Sequence, residues 1–230
     1  MKQLFTFLFF ISFLVPAALN AQQKTDTVKT KESYGLRVGV DLSKPVISFL
    51  DDKSKGFELV GDMRILNNYY AAVELGFEDK ISEEDYMNYT TKGTFIKVGV
   101  NYNAYKNWKG MTNEIYVGAR YGLSLFNQTL NSYTPNVKGT YFIPVEVLPN
   151  TEFKDLSAHW AELVFGIKAE TFKNLYLGFS FSFKTMISTK EPTNFKNLYV
   201  PGFNRVYLND TGFGLNYTLS YLIPIIKKEK

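Results

Sequence analysis

The sequence predicts an all-β protein, an antiparallel up-and-down transmembrane β-barrel of about eight strands with short periplasmic turns and long extracellular loops. Three observations carry this. Apolar residues recur with period two along most of the chain from Tyr34 onward, the pattern of strands with one oily face. Turn residues divide the pattern into short segments. Beyond the N-terminal leader no run reaches the roughly 18 apolar residues that a membrane helix needs, so membrane residence would have to come from strands.

Composition removes several classes. The 230 residues are 45% hydrophobic, 17% aromatic and 21% charged, with 16 Gly and no Cys. That apolar share excludes a disordered chain, and glycine without a three-residue period excludes collagen. The lack of cysteine excludes a disulfide scaffold, a thiolate nucleophile, a thiolate zinc site and a lipid-modified N-terminal Cys. The net charge of +4 is modest and not clustered, so no nucleic-acid partner is expected.

Residues 1–21 read as a signal peptide. Lys2 supplies the basic start, Leu4 to Val15 an apolar run too short to span a bilayer, Pro16 the break, and Leu19-Asn20-Ala21 a small residue before a cut at Gln22. Residues 22–33 have no apolar face and are expected to form a flexible periplasmic leader, so the chain is placed in the outer membrane of a Gram-negative bacterium.

The barrel is expected over 34–222, with candidate strands at 34–42, 56–65, 69–79, 93–104, 112–125, 157–170, 174–186 and 210–222. The seventh is the clearest: Leu175, Leu177, Phe179, Phe181 and Phe183 alternate with Tyr176, Gly178, Ser180, Ser182 and Lys184. The last repeats it, with Phe213, Leu215, Tyr217, Leu219 and Tyr221 on one parity and small polar residues on the other. Between the strands, long connections (43–55, 80–92, 126–156, 187–209) alternate with short ones (66–68, 105–111, 171–173). Leu66-Asn67-Asn68-Tyr69-Tyr70 and Phe172-Lys173-Asn174-Leu175-Tyr176 are similar turns, with Tyr105-Lys106-Asn107-Trp108 a looser copy. Residues 223–230 read as a short basic tail.

The non-oily parity decides which face is inside. It holds many glycines, among them Gly39, Gly76, Gly99, Gly122 and Gly166, which suit a lumen that eight strands leave barely wide enough for side chains. It also carries Arg37, Arg64, Lys97, Arg120, Lys168 and Lys184 against Asp41, Glu58, Asp62, Glu74, Glu78, Glu114, Glu162 and Glu170. Unpaired burial of these would be prohibitive, so an interleaved salt-bridged plug is expected rather than a pore of one sign. Aromatic belts are expected near the short-turn ends (Tyr34, Tyr69, Tyr102, Tyr105, Trp108, Phe172, Tyr221) and near the long-loop ends (Phe77, Phe126, Trp160, Phe183, Phe213).

On these features the chain resembles the small outer-membrane β-barrel superfamily, OmpA-like and OmpX-like in size. Through its signal, its Asn-aromatic turns and the closing strand Gly212-Phe213-Gly214-Leu215-Asn216-Tyr217, it is also similar to a domain-of-unknown-function family of exported Bacteroidota barrels. Such barrels commonly end on a terminal aromatic, whereas Pro224-Ile225-Ile226 and Lys227-Lys228-Glu229-Lys230 follow the last strand here.

Chemistry is sparse. The single His, His159, lies two residues after Ser157 and near Glu152 and Asp155 on the outward parity, the one arrangement open to a lipid A deacylase reading, with an interface His as the plainer account. Asp79, Glu83, Glu84 and Asp85 form an acidic patch without calcium-loop order, and Asp51-Asp52 is discounted likewise. No phosphate-binding or dinucleotide motif appears, so no cofactor or metal is expected. The expected role is a non-enzymatic barrel contributing to envelope integrity or surface interaction, in contact with outer-membrane lipid and lipopolysaccharide, any extracellular ligand or protein meeting loops 126–156 and 187–209. A lipid-modifying enzyme and a small pore are the alternatives.

Overall fold

The computed structural model describes residues 31–106, 112–135, 145–192 and 196–229; the expected signal peptide, most of the leader and Trp108 lie outside them. Eight long antiparallel strands follow one another: β1 (Lys31–Asp41), β2 (Ser54–Arg64), β3 (Tyr69–Glu84), β4 (Met87–Asn103), β5 (Glu114–Tyr133), β6 (Thr151–Phe172), β7 (Leu175–Thr189) and, after a short hairpin of β8 (Tyr199–Val200) and β9 (Asn204–Arg205), β10 (Thr211–Glu229). Each pairs with its sequence neighbour, and β1 pairs with β10 from Lys31↔Glu229 to Asp41↔Thr218, so the ring closes in the topology of a barrel. Closure gives every strand a neighbour on each side, although several are paired on both sides over only part of their length.

The strands are longer than periodicity suggests. Residues 80–92, expected as a long loop, instead carry β3 and β4 onward to a two-residue connection at Asp85 and Tyr86, with Lys80↔Thr91, Ser82↔Tyr89 and Glu84↔Met87 in register. The alternation of long and short connections is therefore not strict. β5 and β6 likewise run past 125 and before 157, to Tyr133 and Thr151. Backbone pairing needs extended residues, not an oily face, so it continues where both parities turn polar. The last strand also continues through the residues expected as a tail, as far as Glu229.

Loop 43–55 holds a helix, α1 (Ser43–Leu50). The Asp41 carboxylate accepts the Ser43 N–H at 2.9 Å and its hydroxyl at 2.8 Å, and Pro45 falls in the first turn, where its missing N–H costs nothing. Loop 187–209 turns back into the mouth of the ring. Val200, Pro201, Gly202 and Phe203 are buried there, with the expected Pro201-Gly202-Phe203-Asn204 turn joining β8 to β9.

Parity sets the faces. Phe165, Ile167 and Leu215 are 46%, 53% and 62% exposed on the outside, while the intervening positions fill the interior. Two residues expected in the outer aromatic belt, Phe126 and Trp160, lie inside instead, as their parity with Gly122 and Glu162 requires. Four inward aromatics face a cross-strand glycine: Phe95 opposite Gly76, Tyr116 opposite Gly166, Phe126 opposite Gly93 and Trp160 opposite Gly122. A Cβ on Gly122 would come within 2.1 Å of the Trp160 indole, so the ring occupies the space a side chain would take. Phe95, Phe126 and Trp160 gather with Leu156, Ala158, Val200 and Phe203 into an apolar cluster near the long-loop end.

Trp160→Ala should destabilise the folded chain by about 3–5 kcal/mol. Gly122→Val should cost about 1–3 kcal/mol by overpacking, and the double variant less than the sum, because the indole it collides with is gone. Urea unfolding of the refolded protein checks all three.

Candidate functional site: the paired interior and its closed mouth

The interior charges are arranged in three tiers between the short-turn end and the mouth. In the first, the Arg37 guanidinium donates to Asp62 at 2.8 Å and pairs with Glu114, and Lys168 also pairs with Asp62. Arg37 also lies over the Tyr70 and Tyr176 rings, 5.1 and 5.0 Å from their centroids, so two cation–π contacts add to its ion pairs. In the second tier Lys97 bridges Glu58 at 2.8 Å and Glu74 at 2.7 Å, while Arg120 donates to Glu74 at 3.1 Å. In the third, Lys184 stands 3.5 Å from Glu162, which also accepts the Trp160 indole N–H at 2.6 Å.

Strand register explains why these groups meet. Arg37 is opposite Asp62, Glu74 opposite Lys97, Arg120 opposite Glu162, Glu114 opposite Lys168 and Glu162 opposite Lys184. Several bonds run diagonally or across the lumen rather than to the direct neighbour, as Arg120 to Glu74 and Arg37 to Glu114 do, which ties non-adjacent strands together. A polar cavity of about 40 Å³ remains beside Arg37, Asp62, Arg120 and Lys168, room for only a few waters. Four residues of the expected set lie apart from the tiers: Asp41 accepts from Ser43 at the start of α1, Glu78 lies at the mouth, and Arg64 and Glu170 lie near the short turns. Arg64 donates to the Asn67 carbonyl at the β2–β3 turn, and Glu170 accepts the Thr112 hydroxyl and the Asn174 N–H, both at 2.8 Å.

The mouth is closed by the chain's own loop. Glu78 accepts the Tyr199 hydroxyl at 2.6 Å, Lys184 donates to the Gly202 carbonyl at 2.6 Å, and Lys44 of α1 pairs with Glu78. Gly202 has φ of +79°, and a Cβ there would come within 2.5 Å of the Phe95 ring, so only glycine lets the turn seat this deeply. Burial opposes the charge of Lys44, but Glu78 outweighs it and holds the ammonium above the usual lysine range. Burial and the same carboxylate push the Tyr199 phenol well above its usual range, so it stays protonated as a donor. Lys44 and Tyr199 both lie in predicted loops, where parity says nothing. The Asp41, Ser43 and Pro45 start signal was the available clue to α1.

Ser157 and His159 share the outward face of β6, half-buried. His159 Nδ1 is 2.9 Å from the Tyr121 hydroxyl, and Ser188 of β7 stands opposite it in register. A tyrosine thus takes the place next to Nδ1 that a carboxylate holds in a hydrolytic triad. In the acidic patch, Asp79 pairs with Lys92 at 3.4 Å, Glu84 with Arg205 at 3.0 Å, and Glu83 with Lys53. Among the described residues no group of three acidic or His side chains could hold a metal ion.

Fold and interior together define an all-β closed ring of eight antiparallel strands with a charge-paired core. The chain belongs to the DUF6048 family, a domain of unknown function, whose model matches residues 1–228. Neither a curated protein nor a solved structure matches it.

Lys97→Met should destabilise by about 3–5 kcal/mol, since Glu58 and Glu74 are left buried beside one another. Adding Glu58→Gln should recover part of the loss, as read by urea unfolding.

Proposed function

We propose that this protein is an outer-membrane β-barrel whose plugged lumen carries no solute and whose role is to support the envelope or meet partners at its surface. The single observation that carries the reading is the reversal of polarity. Charges are paired inside, while Leu, Val, Ile and Phe face outward around the ring, an arrangement that water would penalise and hydrocarbon rewards. Exposed Tyr69, Tyr102, Phe172 and Tyr221 near one end and Phe77, Phe183 and Phe213 near the other suit the two headgroup layers. The signal-like N-terminus supports export, and the long-loop end would then face outward from the cell.

The three tiers and the 199–203 turn argue against a pore, since a conducting path would have to break several buried pairs. Surface interaction is left to the long hairpin of β5 and β6 and to the rim, because the deepest part of loop 187–209 is occupied in closing the mouth. A second reading, an enzyme acting on lipid at the outer wall, has one observation in its favour: Ser157, His159, Tyr121 and Ser188 neighbour one another on that wall. Lipid hydrolysis abolished by His159→Ala would establish it.

Leu163 is 44% exposed on β6, so Leu163→Arg would be near neutral if the wall met water. At mid-membrane it should cost about 2–4 kcal/mol. Reversible unfolding in lipid vesicles decides between them. In planar bilayers the purified protein should give no steady conductance, and ion-selective steps from the unmodified chain would replace the present reading with the pore.

A further inference from the structure

The ring has a notch in its wall. β1 ends at Asp41, level with Thr218 of β10, whereas β10 continues upward to Thr211 and β2 to Ser54. Above that level β10 pairs only with β7, and residues 54–58 of β2 pair only with β3. Helix α1 crosses the gap without filling it. The Leu42 N–H reaches the Tyr217 carbonyl at 2.7 Å, and the Ser48 hydroxyl accepts the Gly56 N–H at 3.0 Å. From the other side Asn204 donates to the Phe213 carbonyl at 3.0 Å. A cleft of about 860 Å³ lies at this notch and joins two chemistries. Outside it is lined by Ile47 and by Phe181, Phe213 and Leu215 of the outer wall; inside, toward the mouth, by Lys80, Tyr199 and Arg205.

We propose that the notch is a lateral binding site for an amphiphile with one long apolar chain and an anionic head, the chain lying on Phe181, Phe213 and Leu215 and the head turned in toward Lys80 and Arg205. The proposal rests on the reading of the outer wall as lipid-facing. The cleft has the volume of a small-molecule site, with an apolar outer wall and a charged inner lining in which Lys44, Lys53, Lys55, Lys80 and Arg205 outnumber Asp51, Glu78, Glu83 and Glu84. Lys80 makes no ion pair among the described residues and lies 5.1 Å from the centre of the Tyr199 ring, so its charge is available to an incoming anion. Arg205 is held at 3.0 Å by Glu84 on the exposed rim, a contact an anionic head can share. The outer face of α1 points to lipid at this height as well: Phe49 and Leu50 are 89% and 77% exposed, and Val46 beside them 54%. An entering chain would meet apolar surface on the helix, then the wall, and only at the end the cations.

The test uses the full chain refolded in zwitterionic micelles, with Ile47→Trp as reporter in the cleft and the parent protein as baseline for the native tryptophans. Should that variant fail to refold, Tyr207→Trp lines the same cleft. Dibromostearate should quench the reporter saturably, and its methyl ester should bind at least about tenfold more weakly, as should the acid to Lys80→Glu/Arg205→Glu. Brominated phosphatidylglycerol separates the sources: saturable quenching assigns the site to one chain of an anionic lipid, and its absence beside a positive acid assigns it to a free fatty carboxylate. Equal, unsaturable quenching by acid and ester, or a double variant that binds like the parent, would overturn the proposal. Leu163→Trp with brominated phospholipid tests the underlying reading separately. Quenching there without a saturable signal at Ile47 sinks the site alone, and no quenching there sinks the lipid-facing wall.

Discussion

Pairing of β1 with β10 sets the terms for the rest of the molecule. Once eight strands close, the lumen is narrow enough that inward side chains meet others from across it, so an unpaired charge or an oversized neighbour would be costly. The three tiers of ion pairs answer the first demand. Glycines placed opposite Phe95, Tyr116, Phe126 and Trp160 answer the second. Both devices depend on register, because a slip by one residue would send the lysines and arginines to the outer wall and the leucines into the lumen.

The interior pairs bind strands far apart in sequence. Arg37 of β1 joins Asp62 of β2 and Glu114 of β5, and Lys168 of β6 returns to Asp62, so one carboxylate links opposite sides of the ring. Buried pairs are a modest source of net stability against an apolar core of equal volume, but they are specific, since the wrong arrangement leaves charge uncompensated. At the mouth the same logic recruits the chain's own loop: Glu78 takes up Lys44 and Tyr199, and Lys184 takes up the Gly202 carbonyl. The apolar cluster around Trp160 and Phe203 lies at this level, where ion pairs give way to side-chain packing.

Where β1 stops short, this order is interrupted. The wall there is completed by a helix and side-chain hydrogen bonds instead of a strand, which leaves an opening between apolar exterior and charged mouth. A ring whose mouth is filled by its own loop thus has an opening at its side, and the two share a border, because Lys44, Glu78 and Tyr199 close the mouth and also line the cleft.

Much of this was legible in the sequence. Parity alone separated Leu177 and Phe179 from Ser180 and Lys184, put Glu58, Lys97 and Arg120 on one face, and counted the strands of the ring, because a pleated strand alternates whatever surrounds it. Trp160 shares the inward parity of Glu162, yet its place near a strand end led to the expectation of an outer belt, which the structure corrects. Parity fell silent where both faces are polar, so the pairing of residues 80–92 was decided by the neighbouring strand and not by composition. It was equally silent on which cation meets which carboxylate, on the inward fold of Tyr199 to Phe203, and on the notch beside α1. Those depend on register, strand stagger and the space left across a closed ring, and such quantities exist only once distant segments have been brought together; alternation within a segment is fixed by the residues of that segment, which is why the sequence by itself determined the strands and their faces while the tertiary structure decided the contacts.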